Sequence, residues 1–306
     1  MKNTSLSNPI RFLACASILA LGSAAQAQIT GNLGTSSINY GSPLALQTIT
    51  TGFGDSGGND SASGSELDAA YGVIQNGNLN LFLAGNIQNN GNHLNIFVSG
   101  GSPGQSVLSV PTTATLQTMN GSVFSPGFQA TYAYDVNDYA GTLYSEEYTY
   151  AGPGVLSGGY VGSVAEYSTG LGGPAVPGGG GFPAYATIAI NNNNVSTMSS
   201  GGGNAYSASL AAAVRTGFEM SIPLSQIGYT GGPVEVLADI NGGSDGYLSD
   251  QFLTGLPVGT GNLGTATFNF GSTSGEYFVV PVPEPSTWAV FATSGLGMLM
   301  MFRRRK

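Results

Sequence analysis

The stretch from Glu66 to Val98 leaves few folds open to this chain. Glu66-Leu-Asp-Ala-Ala-Tyr-Gly-Val-Ile74 is followed by Gln75-Asn76-Gly77-Asn78, then by Leu79-Asn-Leu-Phe-Leu-Ala-Gly-Asn-Ile87. Leu79, Leu81 and Leu83 share one side of an extended backbone, the period of a half-buried strand. Asn76-Gly77 between two such runs is the strongest short signal for a two-residue hairpin, since both central residues of that turn take positive φ. Asn90-Gly91 then precedes His93-Leu-Asn-Ile-Phe-Val98, so three antiparallel strands are expected in succession.

The pattern continues. Further strands are expected at 128–136, 141–151, 160–167, 185–190, 213–222, 234–240, 265–270 and 276–280. Away from the two ends no stretch carries a helical period, although 210–213 and 223–227 each suit a single helical turn. Many short strands spaced by Gly, Pro and Asn imply an all-β chain, an antiparallel β-sandwich of jelly-roll-like type. Gly170–Gly181 and the Asn/Ser/Gly-rich stretch 191–203 are expected to be long surface loops within it. A split into two units near residue 175 is the alternative. No fixed-period repeat is visible, which disfavours solenoids and propellers.

Both ends differ from this body. Lys2 and Arg11, an apolar run from Phe12 to Leu21 and Ala25-Gln26-Ala27 have the layout of a secretory signal peptide, residues 1–27, cut after Ala27. At the other end, Val282-Pro283-Glu284-Pro285-Ser286-Thr287 leads into an apolar run from Trp288 to Phe302, then Arg303-Arg304-Arg305-Lys306. A membrane span needs about 20 apolar residues, and about 17 can suffice. The stretch 286–302 meets the lower figure, and the basic stop 303–306 holds the C-terminus on the cytoplasmic side. The body, 28–281, is then exported.

The order Pro283-Glu284-Pro285, apolar helix, Arg303-Arg304-Arg305 resembles the PEP-CTERM sorting tail of Gram-negative bacterial surface proteins. The resemblance covers residues 282–306 only. It implies processing near Pro283-Glu284-Pro285 by an exosortase-type membrane protease, after transient anchoring in the inner membrane. It also implies a destination at the cell surface or in an extracellular polysaccharide matrix. A plain anchor that is never cut is the alternative.

Charge narrows the partners. Of the chain's seven basic residues only Arg215 lies in the body, and of its sixteen acidic residues only Glu284 lies in the tail. The body therefore carries fifteen acids against one base, a net charge of about −14. Such a surface cannot neutralise a phosphate backbone, so nucleic acid is excluded as a partner, and anionic polysaccharide or lipid is repelled. Neutral glycans, divalent cations and proteins remain. Cys15 is the only cysteine and lies in the signal segment, so no disulfide is expected in the body. His93 is the only histidine, which argues against a zinc site with several His or Cys ligands.

Catalytic motifs are weak. Gly54-Asp55-Ser56-Gly57-Gly58 spells a serine-protease nucleophile segment, but no histidine precedes it. Three G-x-S-x-G matches arise readily in a Gly/Ser-rich chain and lack the strand–turn–helix that a nucleophile elbow needs. Glu146-Glu147 cannot share one cleft if they lie on a strand, where neighbours point to opposite faces, and a solvated edge is expected for them. His93 is expected to be a surface or satisfied structural residue.

One loop offers oxygen ligands. Asp239, Asn241, Asp245 and Asp250 cluster in a glycine-rich stretch after an expected strand, and calcium takes six to eight such oxygens. A solvated turn suits the same residues, and the order of ligands does not follow the EF-hand. Asp55, Asn59, Asp60, Glu66 and Asp68 form a second acidic group. Beyond this candidate calcium no cofactor is expected. The tyrosines between Tyr132 and Tyr167 suit either a sugar-stacking face or the core.

Thr216-Gly-Phe-Glu219-Met-Ser-Ile-Pro-Leu-Ser-Gln-Ile227-Gly228 resembles the late strand and turn of family 9 carbohydrate-binding modules and related sandwiches. Glu219 stands one residue nearer the aromatic than in that pattern, and Ile227 replaces Leu. Over about 13 residues the likeness implies a sandwich more than a function. The expectation is an exported, non-enzymatic surface or matrix protein, structural or adhesive, associated with exopolysaccharide. The alternative is a carbohydrate-binding module for neutral glycans.

Overall fold

In a computed structural model the chain is described over residues 29–51, 64–101, 103–150, 156–165, 184–192, 207–273 and 276–282. The expected signal segment with Ala27, the expected tail with Pro283, Glu284, Pro285 and Arg303–Arg305, the expected span 286–302, Gly54–Gly58 and Gly170–Gly181 all lie outside these residues.

Asn76 and Gly77 take φ of 53° and 78°, so the turn between Glu66–Gln75 (β2) and Asn78–Asn86 (β3) has the geometry its sequence requires. Gln75 pairs with Asn78 beside the turn. Asn90-Gly91 behaves differently. It opens the next strand, Asn90–Ser99 (β4), at an irregularity in register, and β4 does not pair with β3. The short link Ile87–Asn89 instead carries the chain into a second sheet. The expected run of three successive paired strands is therefore two strands and a crossing.

The remaining strands are Ala45–Leu46 (β1), Tyr132–Tyr139 (β5), Thr142–Tyr150 (β6), Leu156–Ala165 (β7), Thr187–Ile190 (β8), Gly217–Pro223 (β9), Val234–Asn241 (β10), Leu248–Leu253 (β11) and Tyr277–Val280 (β12). The first sheet runs β1-β2-β3-β9-β8. The second runs β11-β10-β4-β5-β6-β7, and β12 also pairs with β10. β12 takes the first half of the β10 edge and β11 the second half. All pairings between named strands are antiparallel. Helix among the described residues is limited to single turns, with Ala208–Ala211 and Leu224–Gln226 lying where helical turns were expected. β11 falls in a stretch expected to be loop, whereas 265–270 forms no strand. Both sheets draw strands from each side of residue 175, so β3 pairs with β9 and β4 with β10.

The two sheets face each other across an apolar core. Leu79, Leu81 and Leu83 meet Leu94, Ile96 and Val98, with Phe218, Met220, Ile222, Val236 and Ile240 from the later strands. Each such side chain contributes roughly 1.5–3 kcal/mol when fully buried. The strands are not half-buried, however. Phe82, on the other side of β3, packs with Tyr71, Tyr40, Ile38 and Ile29 under the N-terminal segment. Phe97 and Leu237, on the outer side of the second sheet, pack with Leu108, Leu116, Met119, Phe124 and Phe128. Thus each sheet is covered on its inner face and over part of its outer face. Loop residues supply the outer layers, which is why neither cover carries a strand period.

Candidate metal centre

The cover over the seven-stranded sheet hides a transverse polar row. Registers place Asp239 of β10 opposite Asn95 of β4, Asn95 opposite Asp135 of β5, and Asp135 opposite Glu146 of β6. Directly opposed residues share a face, so these four project to the same outer side. The next row holds Asn241 opposite His93 and His93 opposite Asn137. The row on the other side is apolar and includes Leu237, Phe97, Ala133 and Tyr148. Sheet geometry thus gathers polar groups far apart in sequence and walls them with Phe and Leu.

A tight turn closes over the row. Ser244 and Asp245, inside the 3₁₀ turn Gly243–Asp245, both take positive φ, 59° and 51°. For a residue with a Cβ this backbone is unfavourable, by roughly 1–2 kcal/mol. Several bonds hold it. Asn241 Oδ1 accepts from the N–H groups of Gly242 (2.9 Å) and Tyr247 (2.8 Å), and its Nδ2 donates to the Asp245 carbonyl. Thr118 Oγ1 lies 2.9 Å from the carbonyl oxygens of both Ser244 and Asp245, which share its single proton. The result aims the Asp245 carboxylate down into the row.

His93 Nδ1 lies 2.8 Å from Asp135 Oδ1 and 3.6 Å from Asp245 Oδ2. One ligand atom from each of His93, Asp135 and Asp245 falls within 4.8 Å of the others, and all three residues are buried. Asn95 Nδ2 donates to Asp245 Oδ1 at 2.9 Å and to Asp135 Oδ1 at 3.3 Å. Glu146 accepts from the Thr115 N–H at 3.0 Å and from the Tyr148 hydroxyl, tying the 3₁₀ turn Thr115–Met119 to the same row.

Charge is crowded here. Burial alone lowers the His93 pKa, but Asp135 by charge and hydrogen bond, with Asp245 and Glu146, outweighs it and raises it to about 9. Burial, then repulsion from Asp245 and Asp135, pushes the Asp239 carboxyl well up. Burial followed by Asp135 does the same to Asp245, against the opposing pull of His93 and Asn95.

Of the four expected calcium ligands, Asp239 and Asp245 come together on this face. Asn241 lies beside them, with its Oδ1 committed to the turn. Asp250 is buried on β11, where its N–H donates to Asn262 Oδ1 and its Oδ1 accepts from Gln251 Nε2. His93, Asn95 and Asp135 were not legible as partners of this loop. The signal was present only as alternation, since each sits at an outward position of a strand whose inward positions are apolar. His93 is satisfied, as expected, but buried rather than superficial.

Other candidates resolve differently. Glu146 and Glu147 do point to opposite faces, but Glu147 is only 3% exposed and accepts from the N–H groups of Tyr185 and Ala186, so the solvated edge is overturned. Burial dominates its environment and raises its pKa to about 7 against those backbone bonds. Glu66 and Asp68 are buried on β2, and burial, then Asp68, raises Glu66 to about 10. Asp55, Asn59 and Asp60 lie outside the described residues. Tyr132, Tyr134 and Tyr148 are core, whereas Tyr139, Tyr144 and Tyr160 are exposed. Among the described residues no helix is long and apolar enough to cross a membrane.

The chain matches no protein-family model, no curated protein and no solved structure.

Proposed function

We propose that this chain is an exported, non-enzymatic protein of the cell surface or extracellular matrix, structural or adhesive and associated with exopolysaccharide. The observation that carries the reading is the sequence order at the C-terminus: Pro283-Glu284-Pro285, an apolar run, Arg303-Arg304-Arg305. The fold supports it. β12 ends at Val280, and Pro281 and Val282 are exposed, so the sorting motif begins just beyond the last strand. An exosortase-type membrane protease is the proposed processing partner, the inner membrane the transient anchor, and the cytoplasm the side on which the C-terminus rests. A jelly-roll-like path gains support from chain crossings between sheets after β3, β7 and β9.

The non-enzymatic part is supported by the histidine. Its Nδ1 faces Asp135 and its Nε2 lies 3.5 Å from Asn137 Nδ2, and the ring is buried beneath the cover. A general base must reach substrate directly or through one water.

The test is expression of the full chain in a Gram-negative host with and without an exosortase-type protease. The expected outcome is surface or medium localisation with loss of residues near Pro283-Glu284-Pro285, abolished in Glu284→Ala. Retention of the intact chain in the cytoplasm, signal segment included, would sink the proposal.

A second reading, neutral-glycan recognition, draws on Tyr144 and Tyr160. They are 41% and 37% exposed, on the outer face of the β6–β7 pair, where Tyr160 is opposite Glu146 and Glu146 follows Tyr144 by two positions. Exposed aromatic faces suit sugar stacking. Saturable binding to a neutral polysaccharide, lost in Tyr144→Ala with Tyr160→Ala, would favour it.

A further inference from the structure

The polar row has acceptors without donors. Asp239 is fully buried, and neither of its carboxylate oxygens has a hydrogen-bond partner among the described residues. Asp245 Oδ2 and Asn95 Oδ1 are in the same condition, the nearest donor to the former being His93 Nδ1 at 3.6 Å. Four buried oxygens on three side chains are thus unanswered, with Asp239 and Asn95 opposite each other in register and Asp245 hanging over the same row. A buried acceptor left unsatisfied costs roughly 1–3 kcal/mol, and more where it is charged. Three carboxylates also stand within this cluster against one imidazole. The imidazole answers Asp135 at 2.8 Å, and nothing answers the two oxygens of Asp239.

We propose that these oxygens are ligands of a structural divalent cation of the oxygen-preferring class, calcium foremost, bound among Asp239, Asn95, Asp135 and Asp245. Calcium takes six to eight oxygens from carboxylates, amide carbonyls and water in a tolerant geometry, which a flat row plus an overhanging turn can supply. Zinc prefers nitrogen and sulfur in a closed tetrahedron. The single imidazole here is turned to Asp135, so His93 acts from outside the coordination shell, orienting that carboxylate. The left-handed backbone at Ser244 and Asp245 becomes intelligible as well. It is the strain that puts a carboxylate on the open side of the row, and Thr118 locks it there.

The competing filler is a proton on Asp239 directed at Asn95 Oδ1. Thermal unfolding separates the two. The chain, as exported by a Gram-negative host and dialysed against chelator, is melted with added calcium, manganese or zinc, and the stoichiometry is taken by calorimetry. Calcium at a hundredfold excess over its Kd is expected to raise the melting temperature by about 5–10 °C, with one ion per chain. Asp239→Asn is isosteric and removes a buried negative charge. Its ion-free form should therefore melt at or above the ion-free parent, while its response to calcium disappears. No shift with any cation would overturn the proposal, and so would an undiminished calcium response in Asp239→Asn. Stabilisation by zinc alone, abolished in His93→Gln, would overturn the oxygen-ligated assignment.

Discussion

Glu219 joins the N-terminal segment to the five-stranded sheet, and removing it tests how the outer layer is held. The carboxylate is fully buried on β9. Its Oε2 accepts from the N–H groups of Thr30 (2.6 Å) and Gly31 (2.9 Å), and its Oε1 from the hydroxyls of Ser36 (2.5 Å) and Tyr40 (3.0 Å). In Glu219→Ala the two backbone donors have no alternative acceptor of that geometry. At roughly 1–3 kcal/mol for each buried unsatisfied group, plus the space left by the side chain, the loss should be about 3–5 kcal/mol. That is a large share of the 5–15 kcal/mol typical of a domain. Glu219→Gln should behave differently. Its carbonyl can take the Oε2 position, and its NH₂ can donate to Ser36 and to Tyr40, whose hydroxyl also reaches the Leu81 carbonyl at 3.3 Å. The expected loss is about 1 kcal/mol or less. Urea unfolding of both variants gives the comparison, and limited proteolysis should cut first within residues 29–40 in Glu219→Ala. Equal stabilities for Ala and Gln variants would refute the reasoning, because the backbone donors would then not depend on this acceptor.

Three further outcomes follow from local geometry. Glu147 has a folded pKa of about 7, above its ordinary 4.5, so its burial favours the fold fully below pH 4.5 and that contribution is lost as pH rises through 7. Glu147→Gln should flatten by about 3 kcal/mol the fall in stability between pH 4.5 and 7, read from urea midpoints across that range. Ala140 takes φ of 51° in the turn between β5 and β6, and Ala140→Asn should raise stability by about 0.5–1 kcal/mol, seen as a melting rise of a few degrees. Gly31 takes φ of 67°, and a Cβ there would lie 2.7 Å from the Asn191 nitrogen, so Gly31→Ala should cost more than about 2 kcal/mol in the same assay.

Much of the architecture was written in local signals. Asn76-Gly77 dictated a turn, and the alternation of Leu79, Leu81 and Leu83 dictated which side of β3 meets the core. The same alternation could not reveal that Asn80 and Phe82 would be buried too, because the layer over them is loop and carries no period. β11 was unreadable for a related reason. Leu248-Ser-Asp-Gln-Phe-Leu253 is buried throughout by elements on both faces, so its polar residues looked like loop. Half of the candidate centre, Asp239 and Asp245, was legible as an oxygen-rich stretch. The other half, Asn95, Asp135 and His93, depends on register between strands far apart in sequence, which no local pattern encodes.

That separation has a kinetic consequence. β4 borders β10, β3 borders β9, and Thr30 reaches Glu219 at 189 positions' remove. Closing such distances is slow, because the entropy of ordering the chain is spent before the contacts form. A chain emerging N-terminus first therefore presents the β2–β3 and β4–β5 pairs with one edge of β3 and one edge of β4 still unpaired. His93, Asn95 and Asp135 are laid out early, while Asp239 and Asp245 arrive last. Neither sheet can close until β9 has joined β3 and β10 has joined β4, so the early strands wait on partners more than a hundred residues downstream.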